Sequence, residues 1–317
     1  MQKNIYDVVI IGAGAAGMTA AIYTSRRMLK TLVISKDLGG QATMAVEVEN
    51  YPGFDEAISG FEIMQKFNRQ AKKFGVEFVY NEVSEIQPKN NFFKIRTNEQ
   101  EYQAQSIILA FGLTPCDLGV LGEEKFKGKG VSYCATCDAL FYKNKNVSVI
   151  GGGNAALDAT FLLSKIAKKV YLIHRRNEFR GDEILIQKIK KQKNVQFVLN
   201  SIVKEIKGNE FVESIIINKI EEKNEEEIKV DGVFVEVGYE VKADFVKNLV
   251  NLDKKNQIIA NKNCQTSYPG IFAAGDATDT FYKQIVISAG EGAKAALSAY
   301  KYIQDKKDTG LDWGILK

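Results

Sequence analysis

The sequence predicts an α/β protein made of two parallel-sheet nucleotide-binding units, the second inserted into the first. Two strand–glycine loop–helix patterns predict the units, one at the chain's start and one near its middle. A third observation predicts the insertion: a late strand ending in Gly275-Asp276 has no unit of its own to join.

The first pattern is "YDVVIIGAGAAGMTAAIY", residues 6–23. Its apolar run after Asp7 suits a central parallel strand covered on both faces. Gly12, Gly14 and Gly17 form G-x-G-x-x-G: one glycine makes the tight turn, one admits a pyrophosphate, and one lets helix and strand pack closely. The helix N-terminus then offers unpaired N–H groups to phosphate. The next strand, "KTLVIS", ends at Ser35 and Lys36, where an acidic residue would hold a ribose; a serine hydroxyl there still offers a hydrogen bond.

The second pattern, "KNVSVIGGGNAALDATFLLSKIAKKVYLIHRR", spans residues 145–176. Gly151, Gly153 and Ala156 make its loop, and Asn154 and Ala155 open its helix as further candidate contacts. The strand ends in His174, Arg175 and Arg176, with Arg180 four residues on. Guanidinium groups make paired, charge-assisted bonds to phosphate, so this cluster suits the 2′-phosphate of NADPH rather than the free ribose of NADH. The plainer reading of "HRRNEFR", a solvated basic face, fits less well after a complete strand–loop–helix–strand unit.

Two dinucleotide patterns imply two dinucleotides, one a flavin nucleotide and the other a nicotinamide. The return segment "TSYPGIFAAGDATD", residues 266–279, places Asp276 just past a strand end, where a carboxylate can bind a ribityl or ribose hydroxyl. The helical stretch after it carries small residues that allow close packing. The fold expected is therefore α/β with two Rossmann-like domains. Residues 1–114 and 244–317 form the FAD-binding domain, and residues 115–243 form an inserted NADPH-binding domain. The two crossings, near Pro115 and Gly238, make a natural pivot. The acidic run 221–227 reads as a solvated hairpin tip.

Between the two loops stands "SYCATCDALFY", with Cys134 and Cys137 two residues apart and Asp138 directly after. Zinc needs about four ligands; here there is one C-x-x-C and a single histidine in the chain. A structural staple does not suit the reducing compartment expected for a chain with few cysteines. An inert pair and a redox couple remain; the first leaves the pair beside two nucleotide loops as coincidence, and a neighbouring acid–base group such as Asp138 suits the second. Cys116 and Cys264 read as incidental thiols. A net charge of +4 on 317 residues does not argue for nucleic acid. No segment reads as a signal peptide or a membrane span, so a cytoplasmic location is expected.

Taken together, "CATCD", "GGGNAALDA", "HRRNEFR", "EVENYPGF" and "TSYPGIFAAGDATDTFYKQI" resemble the low-molecular-weight thioredoxin reductases of bacteria and archaea, from the first strand to about residue 304. The resemblance implies a homodimer with FAD in each subunit, and electron flow from NADPH through FAD and the cysteine pair to thioredoxin. It implies that Cys137 faces the flavin, that Cys134 attacks the partner's disulfide, and that Asp138 protonates the departing thiolate. It also places Gly39, Gly40, Gln41 and Asn50 near the flavin, with Asp276 and Gln284 in its second binding stretch. It further implies that the inserted domain swivels between two states. The chain departs from the family pattern at Phe111, at Lys283 where arginine is usual, at "YEVKAD" after Gly238, and at Ala15-Ala16 in the first loop. The alternatives are a ferredoxin-like donor or another disulfide protein as acceptor. The resemblance does not cover the tail, residues 305–317, with Trp313.

Overall fold

A computed structural model describes residues 5–45, 48–222 and 224–304. The tail with Trp313 lies outside the described residues. The chain divides into two units, one running to Leu113 and resuming at Val241, the other Thr114–Glu240.

The first unit opens with β1 (Ile5–Ile11), α1 (Ala15–Arg26) and β2 (Thr31–Ser35). Then come α2 (Gly60–Lys73), β3 (Glu77–Tyr80), β4 (Val83–Pro88), β5 (Phe93–Thr97) and β6 (Glu101–Leu109). Along β1, Val8 and Ile10 pack into one apolar layer and Val9 and Ile11 into the other, as a strand covered on both faces requires. Helix α2 starts at a capping box: the Ser59 hydroxyl accepts from Glu62 N–H and the Glu62 carboxylate accepts from Ser59 N–H.

The second unit holds β7 (Thr114–Pro115), β8 (Val131–Ser132), α3 (Ala135–Asp138), β9 (Asn146–Gly151), α4 (Asn154–Ser164), β10 (Lys169–Ile173), α5 (Glu183–Lys190) and β11 (Val195–Val198). It continues through β12 (Ser201–Gly208), β13 (Val212–Lys219), β14 (Asn224–Lys229), β15 (Gly232–Glu236) and β16 (Tyr239–Glu240). A parallel sheet of order β11-β10-β9-β15-β8 carries α4 and α5 on one face and packs on the antiparallel sheet β12-β13-β14 with the other. The two crossings pair with each other: β16 runs antiparallel to β7, and Cys116 N–H donates to Gly238.

The acidic run reaches further than a hairpin tip. Asn224–Glu227 enter β14, where Glu226 pairs with Lys219 and Glu225 with Lys204. The charges form the outer face of an edge strand, which also guards that edge against pairing with another chain.

The chain returns through β17 (Ile271–Ala273) and α6 (Ile285–Ile303). The sheet of the first unit has the order β3-β2-β1-β6-β5-β4. Strand β6, nine residues long, pairs in parallel with β1 on one side and serves two neighbours on the other: its first half pairs antiparallel with β5 and its second half parallel with β17. That is how residues 271–273 rejoin a sheet begun at residue 5.

Helix α6 lies directly on α1. A Cβ on Gly292 would stand 2.1 Å from the Ala16 carbonyl oxygen, whereas one on Gly290 would meet nothing within 4 Å. Gly292→Ala is therefore expected to cost roughly 1–3 kcal/mol through overpacking. Gly290→Ala should be neutral or stabilising by up to about 1 kcal/mol, because alanine is the better helix former. Urea unfolding of the two variants checks the difference.

Candidate active site

The first glycine loop closes between β1 and α1. Gly12 takes φ +107°, and a Cβ there would lie 2.2 Å from the Ala110 carbonyl oxygen. Gly17 brings α1 onto the loop: its Cβ would stand 1.9 Å from the Gly12 oxygen. Gly14 is the N-cap of α1, with no side chain capping the first turn, and the space where its Cβ would point is open, with only the Gly39 carbonyl oxygen at 3.8 Å. A backbone cradle of free N–H groups at a helix start is what a pyrophosphate needs.

The surrounding loops converge on this cradle. Ser35, at the end of β2, accepts from the Ala13 N–H at 3.1 Å, which leaves its own hydroxyl hydrogen to donate elsewhere. Gly39 N–H donates to Ala13 at 2.9 Å, and Gly40 N–H to the Asp37 carboxylate at 3.2 Å. The Gln41 amide donates to the Leu113 carbonyl. Asn50 and Gln284, 234 positions apart in the chain, are joined by an amide hydrogen bond of 3.1 Å.

Asp276 follows β17 on a loop held from two sides. Ser288 of α6 donates to its carboxylate at 3.1 Å. Lys283 donates to the carbonyls of Asp276 and Thr278 at 3.2 and 2.7 Å, so this lysine fastens the loop. Burial holds the Lys283 ammonium below its ordinary range, and burial lifts the Asp276 carboxyl above its own. Sequence reasoning missed Glu291, one turn along α6 from Ser288. Its carboxylate accepts from Gly275 N–H at 2.8 Å and from the Thr280 hydroxyl.

In the second unit, Gly151 ends β9 and Gly153 is the N-cap of α4. Nothing lies within 4 Å of the Cβ position of Gly153, and no side chain caps the helix. This cradle is like the first and fits a second pyrophosphate. Asn154 is tied to Asp182 in both directions, the carboxamide oxygen accepting from Asp182 N–H at 2.7 Å; Ala155 is exposed beside it. Arg175, Arg176 and Arg180 stand on the surface past β10, without an ion pair among the described residues. His174 turns inward instead. It is 6% exposed, its Nε2 lies 3.1 Å from the Glu178 carbonyl oxygen, and its ring stacks on Phe179. Its ring occupies the space where a Gly152 Cβ would point, at 2.2 Å, and burial lowers its pKa. His174 thus shapes the loop from beneath, while the arginines face solvent.

Cys134 and Cys137 are joined as a disulfide with Cα atoms 5.3 Å apart. Cys134 is the N-cap of α3, and its sulfur accepts from Cys137 N–H at 3.1 Å; Cys137 is the more exposed of the two. Asp138 is held by Ser132, whose hydroxyl donates to its carboxylate at 2.6 Å and accepts from Cys134 N–H at 3.1 Å. Ser132 was not legible as a site residue, although it stands two positions before the pair. Tyr133 reaches back to Glu123, itself buried and receiving the N–H groups of Leu118 and Gly119. A cleft of about 470 Å³ opens beside Asp138, lined by Val131, Phe141, Phe211 and Val212 among others. Among the described residues, no three His, Cys, Asp or Glu side chains gather in a way that would hold a metal ion.

Residues 6–292 match the pyridine nucleotide-disulphide oxidoreductase family. The chain belongs to that family. Within it, the relatives are the low-molecular-weight thioredoxin reductases. The chain is 40% identical over 310 residues to the thioredoxin reductase of Listeria monocytogenes, covering 97% of each chain. The crystal structure of Lactococcus lactis thioredoxin reductase superposes with a TM-score of 0.85 at 38% identity, covering 95% of this chain and 99% of that one. The thioredoxin reductase of T. acidophilum gives 0.82 at 37%, covering 94% and 99%. Members of this family use FAD and NADPH.

Glu291 is the half-buried anchor of the loop that carries Asp276. Glu291→Ala removes both acceptors, and leaving the Gly275 N–H and the Thr280 hydroxyl without a partner costs roughly 1–3 kcal/mol. A lower urea midpoint, with faster loss of bound flavin, is the expected result; an unchanged midpoint shows the loop holds without it.

Proposed function

We propose that the protein is an NADPH-dependent thioredoxin-disulfide reductase working through the Cys134–Cys137 pair. The observation that carries the reading is that pair, joined as a disulfide with Asp138 beside it, in a chain with two nucleotide cradles. The relatives' activity and their high mutual coverage support it. The protein is a cytoplasmic homodimer, and among its described residues no helix is long and apolar enough to cross a membrane.

Residues 1–114 and 244–317 bind FAD through Gly12, Gly14, Gly17, Ser35, Gly39, Gly40, Gln41, Asn50, Asp276, Lys283 and Gln284. Residues 115–243 bind NADPH, with Gly151, Gly153, Asn154 and Ala155 at the pyrophosphate and Arg175, Arg176 and Arg180 at the 2′-phosphate. His174 keeps the second loop in shape. FAD held by these residues would supply the two-electron chemistry that links NADPH to the disulfide.

With two electrons and two protons the disulfide becomes a dithiol. The Cys137 N–H pointing at the Cys134 sulfur favours negative charge there, and the thiolate is the attacking form. Cys134 attacks one sulfur of thioredoxin's disulfide, forming a mixed disulfide and releasing the other sulfur as a thiolate. Asp138, oriented by Ser132, gives that thiolate its proton. Cys137 then attacks the Cys134 sulfur, closes the pair again and frees reduced thioredoxin. Leu140 and Phe141, both largely exposed just past the pair, offer apolar surface to the protein substrate.

Anaerobic addition of NADPH, and separately of NADH, to the purified flavoprotein tests the donor. Bleaching of the flavin by NADPH in clear preference to NADH is expected, and a flavin that neither nucleotide reduces would turn the donor to a ferredoxin. Arg175→Ala/Arg176→Ala should raise the KM for NADPH by roughly tenfold or more, since charge-assisted bonds contribute about 1.5–3 kcal/mol each, and leave that for NADH little changed. Equal rises for both would remove the 2′-phosphate assignment. Cys137→Ser should still allow NADPH to bleach the flavin while abolishing thioredoxin turnover; retained turnover would take Cys137 out of the mechanism.

A further inference from the structure

Tyr133 ties the residue before Cys134 to the connector. Its hydroxyl lies 2.7 Å from an Asp117 carboxylate oxygen and 2.7 Å from a Glu123 carboxylate oxygen. Glu123, 3% exposed, also receives the N–H groups of Leu118 and Gly119 at 2.8 and 2.7 Å. Asp117 pairs with the Lys127 ammonium at 3.1 Å, and that ammonium lies 5.6 Å from the centre of the Tyr133 ring. The ring packs against the apolar layer that contains Phe126 and Val131. Burial, and then the two carboxylates, hold the phenol above its ordinary range, so the hydroxyl keeps its hydrogen. One hydrogen faces two acceptors, so loss of either carboxylate leaves the other within reach.

We propose that Tyr133 is a positioning residue for the cysteine pair: its hydroxyl, held at the connector, keeps the Cys134 end of the turn in place when the pair is reduced and so favours closure of the disulfide. The inference rests on the reading of the pair as a working redox couple.

The sign follows from what closure fixes. Helix α3 has four residues, too few to hold a helical turn by themselves. A dithiol on a loose turn loses backbone freedom when its sulfurs join, and that loss opposes the disulfide. Where the chain is already fixed at residue 133, less freedom is left to lose, and the disulfide gains on the dithiol. The Ser132 hydroxyl holds the same stretch by accepting from the Cys134 N–H, so Tyr133 supplies part of the anchoring and its loss gives a moderate shift. Tyr133→Phe removes the hydroxyl alone. Glu123 keeps its two N–H donors and Asp117 keeps Lys127, so neither carboxylate is stripped of partners and the fold is preserved.

The test is the redox equilibrium of the pair in glutathione buffers. The flavoprotein is equilibrated anaerobically over a series of ratios of squared glutathione to glutathione disulfide, quenched in acid and alkylated. The disulfide fraction is read by mass on the peptide carrying both cysteines. Two glutathione thiols give up two electrons and two protons and join as a disulfide, while Cys134–Cys137 opens to a dithiol. Tyr133→Phe should reach half reduction at a ratio roughly fivefold lower than wild type, a shift of about 20 mV on a two-electron couple. Asp117→Asn should stay within about twofold of wild type, because the hydroxyl still reaches Glu123 and a surface ion pair contributes little. A Tyr133→Phe midpoint equal to that of wild type overturns the proposal, even where the variant unfolds at lower urea, because the role is then structural alone. An Asp117→Asn shift as large as that of Tyr133→Phe also overturns it, since the effect then lies with charge and not with the hydroxyl. Neither NADPH nor thioredoxin enters the measurement, so a failure of the donor or acceptor assignment leaves this result standing. A wild-type pair that no glutathione ratio reduces removes the working couple, and this proposal with it.

Discussion

At the first glycine loop, backbone touches backbone, and the nucleotide-binding architecture depends on that contact. A Cβ on Gly17 would sit 1.9 Å from the Gly12 oxygen, so only glycine lets α1 start this close to the end of β1. That approach points the first-turn N–H groups of the helix at the space just beyond the strand ends. Gly292 repeats the contact from the other side, bringing α6 onto Ala16. Helix α6 then brings Ser288 to Asp276 and Glu291 to Gly275, so one small-residue seam sets both the first glycine loop and the loop that carries Asp276.

The second unit solves the same problem with different side chains. Ala156 replaces the third glycine, and a buried histidine fills the space in front of Gly152. The chain's only histidine thus acts as packing. Its stack on Phe179 and its contact with Glu178 fold the segment after β10 back beneath the loop, leaving Arg175, Arg176 and Arg180 outward. The arginines therefore face solvent because the histidine does not.

What the sequence made legible is what local pattern controls. A strand covered on both faces, a glycine turn and a helix occupy consecutive residues, and their spacing carries the geometry. The C-x-x-C is local in the same way. Ser132 and Glu291 were not legible: the Ser132 hydroxyl reaches Asp138 only once the α3 turn has formed, and Glu291 meets Gly275 from a later helix. The inward turn of His174 was hidden for a related reason. A histidine beside two arginines reads as one more cation until the space in front of Gly152 is known to be there. The acidic run misled by one step, since its alternation with the lysines of β12 and β13 appears only once the hairpin has closed.

The cysteine turn combines two opposing demands. A nucleophile needs its thiolate, and the N–H of Cys137 supplies a donor for it. A leaving thiolate needs a proton, which the proposed mechanism takes from Asp138, kept in place by the same Ser132 hydroxyl that receives the Cys134 N–H. One serine therefore ties the Asp138 carboxylate to the Cys134 backbone, so a shift of either moves the other. Tyr133, immediately before Cys134, is bonded to Glu123, which in turn binds the N–H groups of Leu118 and Gly119. The turn is thus anchored through Tyr133 to the connector. A redox turn of only four helical residues has little stiffness of its own. Its geometry has to come from these anchors, the Ser132 hydroxyl on Asp138 and the Tyr133–Glu123 bond.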